Sequence, residues 1–239
     1  MSRMLQAFIK GKLGRDQENL EDILTSNAFG SFSYVPLEDG LLPFLSEAKN
    51  IKDEYLSESL NLKNIIKPPK YDFWPSLKEK DCEICEPDVI ITFNHSDGTK
   101  SIVLIESKFK SGKSSEADEN ESNISPPKDQ LAKEWHNLYK KALRENAKPF
   151  LIYVTADYSF PREEILETQK ELERKNVETG KIYWLSWRSL EKTMNNTKNN
   201  HKIIDDLVKL LSDKLELRYF NGFTVNFNCY CDWRFSNEF

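Results

Sequence analysis

The sequence predicts an α/β fold, a β-sheet flanked by helices, on three observations. Two β-branched and aromatic runs, VIITF and SIVLI, flank the turn pair Asp97-Gly98 and read as an antiparallel hairpin. Two further apolar runs, PFLIYVTAD and KIYWLSWRSL, read as strands, the first with the unbroken hydrophobicity of a covered sheet. Stretches with helical spacing of apolar residues fall before, between and after them.

Each element follows from its residues. DQENLEDILTSNA, residues 16–28, reads as a helix with Asp16 as N-cap and acids in its early turns, where the helix dipole favours them. Leu20, Ile23, Leu24 and Ala28 form its apolar stripe. At about 100° per residue Glu21 falls at the border of that stripe, Glu18 farther round and Asp22 nearly opposite. Residues 40–63 read as mostly helical and structural. The prolines of KPPKYDFWPSLKEK end that region, and YDFWPSL enters the hairpin as an extended segment, with Trp74 read as core.

Beyond the hairpin, KSGKSSEADENESNISPPK is polar and proline-marked. It reads as a mobile loop, either closing over a substrate or a permissive insertion. KDQLAKEWHNLYKKALREN is a helix buried through Leu131, Trp135, Leu138 and Ala142, with Gln130 and Glu134 together on another face. PREEILETQKELERKNVETG is a helix with Pro in its first turn, and HKIIDDLVKLLSDKLELR is amphipathic. The tail YFNGFTVNFNCYCDWRF alternates like a strand pair that covers a sheet edge or meets a partner. The expected organisation is a single domain over 1–239, with its core at about 16–190, a helical insertion at 40–70 and a C-terminal extension at 200–239.

The chemistry sits at one end of the hairpin. Pro87-Asp88 opens the first strand and Glu106-Ser107-Lys108 closes the second. A hairpin folds those two ends together, so Asp88 comes to lie beside Glu106, and alternation puts Glu106 and Lys108 on one face. Two adjacent carboxylates repel unless positive charge compensates them. Lys108 supplies one charge, and a divalent cation would supply two. Hard oxygen ligands suit Mg²⁺ or Mn²⁺, here Asp88, Glu106 and a backbone carbonyl near Ser107. With Lys108 orienting a water or offsetting developing charge, this is a site for phosphodiester hydrolysis. The plainer reading, a solvated strand end with a surface ion pair, fits the apolar strands less well.

EPDVIITF followed by IVLIESK resembles the signature of the PD-(D/E)XK, or restriction-endonuclease-like, nuclease superfamily, matched at Pro87, Asp88, Glu106 and Lys108. The resemblance implies an αβββαβ core with a mixed central sheet flanked by helices, here with an extra helix and a C-terminal β tail. It implies that the two acids bind Mg²⁺ and that the lysine assists hydrolysis of nucleic acid, DNA above all. Many members place a Glu on the first helix near the metal, a role that falls to Glu21 with Glu18 in reserve. The exonuclease-like branch carries a Gln on the helix after the lysine strand and a Tyr four residues on. Gln130 matches the first position, while Glu134 stands where the Tyr would be, with Trp135 one residue on. The resulting expectation is a Mg²⁺-dependent endonuclease rather than an exonuclease. Its rivals are a catalytically silent interaction module of the same fold, and a subunit active only within a defence or repair assembly. Cutting both strands of a duplex would favour a homodimer.

Composition sets the bounds. The chain has 239 residues, 31% of them charged, and a net charge of −5, which argues against coating nucleic acid by bulk attraction. A local basic strip suffices, and KFKSGK offers Lys110 and Lys113 beside Lys108 as nucleic-acid contacts. No run approaches a membrane span and the N-terminus lacks an apolar signal core, so a cytoplasmic protein is expected. Cys82 and Cys85 form C-x-x-C, and Cys229 and Cys231 form C-x-C. Together they could hold Zn²⁺ or an iron–sulfur cluster, but C-x-C chelates poorly and buried free thiols are the preferred reading. The three His form no H-x-x-x-H, and no phosphate-binding G-x-x-x-x-G-K-[ST] occurs.

Overall fold

The computed structural model describes residues 17–66, 68–109, 113, 126–179, 181–196 and 201–219. Five strands form one sheet in the order β1-β2-β3-β4-β5, the same as their order along the chain. They are β1 (Lys70–Phe73), β2 (Val89–Asn94), β3 (Lys100–Ser107), β4 (Ala147–Thr155) and β5 (Ile182–Ser186). The first two pairings are antiparallel and the last two parallel, so the sheet is mixed. Gly98, at φ 80°, takes the left-handed turn that closes the β2–β3 hairpin.

Alternation along the buried strands sorts their side chains onto two faces. Val89, Ile91, Phe93, Val103, Ile105, Phe150, Ile152 and Val154 pack in one apolar cluster with helices α1 (Gln17–Phe32), α2 (Leu41–Ser46), α6 (Trp187–Asn196) and α7 (Lys202–Lys209). Ile90, Ile102, Leu104, Leu151, Tyr153 and Trp184 pack in a second cluster with α4 (Gln130–Arg144) and α5 (Arg162–Arg174). The fold is therefore an α/β sheet covered by helices on both sides.

Several elements differ from the sequence reading. α1 runs on to Phe32, because Phe29 and Phe32 extend the buried stripe. The stretch 40–63 holds α2, six residues, α3 (Leu56–Ser59), four residues, and the start of a 3-10 turn, Leu62–Asn64. Within it, Lys49 bridges to Trp184 of β5. KIYWLSWRSL is half strand and half helix. Ser186 Oγ accepts the Arg188 N–H at 3.2 Å as the chain turns into α6, and Trp187, Leu190 and Met194 then recur at helical spacing on the buried side. The last helix gives way at Leu210 to a π-helical turn, Leu210–Lys214. The Asp16 N-cap, most of the loop after Lys108 and the β tail lie outside the described residues. Among the described residues no helix is long and apolar enough to cross a membrane.

Candidate active site

Sheet register builds the site. Val89 pairs with Ile105, so one step toward the strand end brings Asp88 level with Glu106. Asp88 Oδ2 accepts the Ser107 N–H at 2.8 Å and the Ser107 hydroxyl at 2.6 Å. Its Oδ1 accepts from Trp74 Nε1 at 3.2 Å. Trp74 follows β1 with φ 46°, a conformation a bulky residue rarely adopts, and its N–H is held by the Asp88 carbonyl at 2.8 Å. On the α1 side of the sheet, Ser107 Oγ also meets Thr25 Oγ1 at 2.5 Å.

Glu106 faces the opposite side. Gln130 Nε2 donates to Glu106 Oε1, and to Glu134 Oε1 at 3.2 Å. Gln130 is held at the first residue of α4 by a buried N-cap: Asp129 accepts from Ala132 N at 2.9 Å, and Glu171 accepts the N–H groups of Lys128 and Asp129. Lys108 prolongs the β3–β4 pairing, its N–H donating to Val154 O at 2.7 Å. Its Nζ stands 2.8 Å from Glu106 Oε1 and 3.3 Å from Glu21 Oε1. The second oxygen of Glu21 accepts the Phe109 N–H at 2.7 Å. The first helix, the hairpin and α4 thus converge on one buried cluster. Glu21 and Thr25 come one turn apart on α1, and Gln130 and Glu134 one turn apart on α4.

Burial and crowding set the charges. Burial pushes Asp88 above the usual carboxylate range, opposed by its Ser107 hydrogen bonds and by Lys108. Burial, then the neighbouring Asp88, pushes Glu106 up to about 8. Glu134 is raised well above its ordinary value by burial and by Glu106 and Asp88. Burial alone would lower Lys108, but Glu106 and Glu21 outweigh it and raise the ammonium's pKa. The shift favours the charged form of Lys108.

The side chains as they stand enclose Lys108. Among the described residues, no group of three or more His, Cys, Asp or Glu is arranged to hold a metal ion. The donor chemistry nonetheless fits a hard divalent cation. Asp88, Glu106 and Glu134 are buried acids crowded about one lysine, and a divalent cation would stabilise the ionised forms that burial disfavours. Glu134 Oε2, moreover, is buried without a hydrogen-bond partner.

The structure brings Glu21, Asp88, Glu106, Ser107, Lys108 and Gln130 together. The side chain of Glu18 and all of Lys110 lie outside the described residues. Lys113, read as a nucleic-acid contact, is turned inward. Its side chain is 3% exposed, ion-paired to Asp129, and bonded to Glu164 O at 3.2 Å, so its charge serves an internal network. Cys82 and Cys85 are free and buried, whereas Cys229 and Cys231 lie outside the described residues.

Sequence reasoning left Trp74, Thr25 and Glu134 out of the site. Thr25 and Glu134 carried a signal, each four residues beyond a candidate on its helix. Trp74 carried none, since its contact with Asp88 depends on the β1–β2 pairing.

No protein-family model, no curated protein and no solved structure matches this chain.

Proposed function

We propose that this chain is a metal-dependent nuclease of the restriction-endonuclease-like type, hydrolysing phosphodiester bonds, with DNA the favoured substrate. One observation carries the reading. Asp88 and Glu106 lie level across a hairpin, with Lys108 bridging Glu106 to Glu21 from the first helix. An ordinary surface ion pair needs neither the burial nor the contributions of α1 and α4. The strand order also supports it, with two antiparallel pairings followed by two parallel ones and the acids at the β2–β3 end.

In this reading Asp88, Glu106 and the carbonyl of Ser107 hold Mg²⁺ or Mn²⁺. When bound, the cation polarises the phosphate and lowers the pKa of its water. Trp74 and Ser107 fix the Asp88 carboxylate, and Gln130 fixes that of Glu106. Lys108, kept charged by Glu106 and Glu21, orients the attacking water and offsets the negative charge that grows on the phosphate. Water adds to phosphorus, one ester bond breaks, and the leaving oxygen takes up a proton. Supercoiled plasmid incubated with purified protein in Mg²⁺, Mn²⁺ or EDTA tests the reading. Nicking with either metal and none in EDTA is expected, and plasmid left intact in all three sinks it.

A further inference from the structure

A second feature opens on the same edge of the sheet. Lys108 docks on Val154 of β4, and the next residue, Thr155, pairs with Ser186 at the end of β5. Just beyond Ser186 lies a cleft of about 450 Å³. With neighbouring strands about 4.8 Å apart, the cleft is roughly two strand spacings from the carboxylates at the end of β3. Ligand sites in α/β sheets favour this position, outside the carboxyl ends of parallel strands.

The lining has a distinct chemistry. Tyr55, Tyr158 and Tyr219 border the cleft and are 46%, 72% and 38% exposed, while Trp184 forms buried wall. Trp184 Nε1 donates to Thr155 Oγ1 at 3.0 Å, which ties this wall to β4, the strand against which Lys108 docks. Arg188 lies over the Tyr158 ring at 3.8 Å, and Lys192 over the Tyr219 ring at 4.6 Å. The Arg188 guanidinium donates to the carbonyls of Ala156, Glu216 and Arg218, and among the described residues it has no carboxylate partner. Lys49 adds a second cation, paired with Asp53, and Glu47 is the lining acid.

Exposed aromatic faces interleaved with cations are the means by which proteins hold unpaired nucleotides, stacking the base and attracting the phosphate. We infer that this cleft is a nucleotide subsite, in which an unpaired base stacks on Tyr158 while Arg188 meets its phosphate. The nucleotide belongs to the strand whose neighbouring phosphate reaches Asp88 and Glu106. The inference rests on nucleic acid being the substrate. It adds that the bound strand is locally single-stranded at the cleft.

Fluorescence anisotropy with a labelled single-stranded oligonucleotide, and with its blunt duplex, tests this on the full chain in EDTA. Tyr158→Ala is the variant of choice, because so exposed a ring can be removed without disturbing the core. Wild type should bind the single strand more tightly than the duplex. Tyr158→Ala should weaken single-strand binding roughly tenfold or more, and Tyr158→Phe should restore it. Unchanged binding by Tyr158→Ala, or no binding of the single strand by wild type, overturns the subsite. Tyr158-sensitive binding in a protein that leaves plasmid intact keeps the subsite and removes the nuclease reading. Metal-dependent nicking with Tyr158-insensitive binding does the reverse.

Discussion

Glu21 and Lys108, 87 residues apart in sequence, meet at 3.3 Å where the first helix crosses the end of the central strand. Their side chains are only 13% and 10% exposed, so the pair is shielded from the solvent that weakens surface ion pairs. Lys108 also holds Glu106, which places its ammonium between two carboxylates. Removing it strands buried charge. Lys108→Met should lose roughly 3–5 kcal/mol of stability in EDTA. The double variant Lys108→Met/Glu106→Gln should recover part of that loss. Urea unfolding of the three proteins checks this, and a fully stable Lys108→Met would mean that the cluster is solvated.

The raised pKa of Glu106 gives a pH dependence of known sign. Its folded value of about 8 lies above the ordinary carboxyl value of 4.5, so between these values the folded chain binds the extra proton. Stability then falls as pH rises through that window and levels off above about 8. Glu106→Gln cannot lose a proton and should not show this fall. In EDTA, the stability of the variant relative to wild type should therefore grow from pH 5 to pH 9. Mg²⁺ should narrow the difference at high pH by binding the ionised carboxylate. Thermal melts across that range, with and without Mg²⁺, measure both effects; parallel curves would place Glu106 in an ordinary environment.

Trp74→Phe isolates the indole hydrogen bond to Asp88 while keeping an aromatic ring in the core. A loss of about 1 kcal/mol in stability is expected, together with a several-fold slower cleavage rate as Asp88 loses its orientation. Denaturant unfolding and plasmid nicking read the two effects separately. A stability loss with an unchanged rate would leave Trp74 a purely structural residue.

Lys113 makes the opposite prediction from that of a phosphate-binding lysine. Lys113→Met should destabilise the chain by roughly 3 kcal/mol, because it leaves buried Asp129 without its ion pair. The salt dependence of oligonucleotide binding should not change, whereas a phosphate contact would reduce its slope by about one.

The sequence carried local information well and distant information poorly. Asp97-Gly98 and the flanking β-branched runs marked the hairpin, and the hairpin alone brought Asp88 level with Glu106. Helical phase turned Glu21 inward because Leu24 and Ala28 on the same helix are fully buried. KIYWLSWRSL misled because its apolar residues fit a strand up to Ser186 and a helix from Trp187, and only Ser186 marked the change. The partners of Lys113 could not be read locally, because Asp129 caps α4 and Glu164 and Thr168 lie on α5. Trp74 was hidden for a similar reason, since a backbone pairing with a later strand brings its ring to Asp88.

The most direct measurement of the central claim compares wild type with Asp88→Asn, purified identically and assayed on supercoiled plasmid with Mg²⁺. Asn keeps the shape of the side chain and can still accept from Ser107, so the fold should persist with an unchanged circular dichroism spectrum. The account predicts nicking by wild type and at least a hundredfold slower nicking by Asp88→Asn, with EDTA abolishing both. Equal rates for the two proteins would show that any cleavage arises elsewhere and would contradict the account.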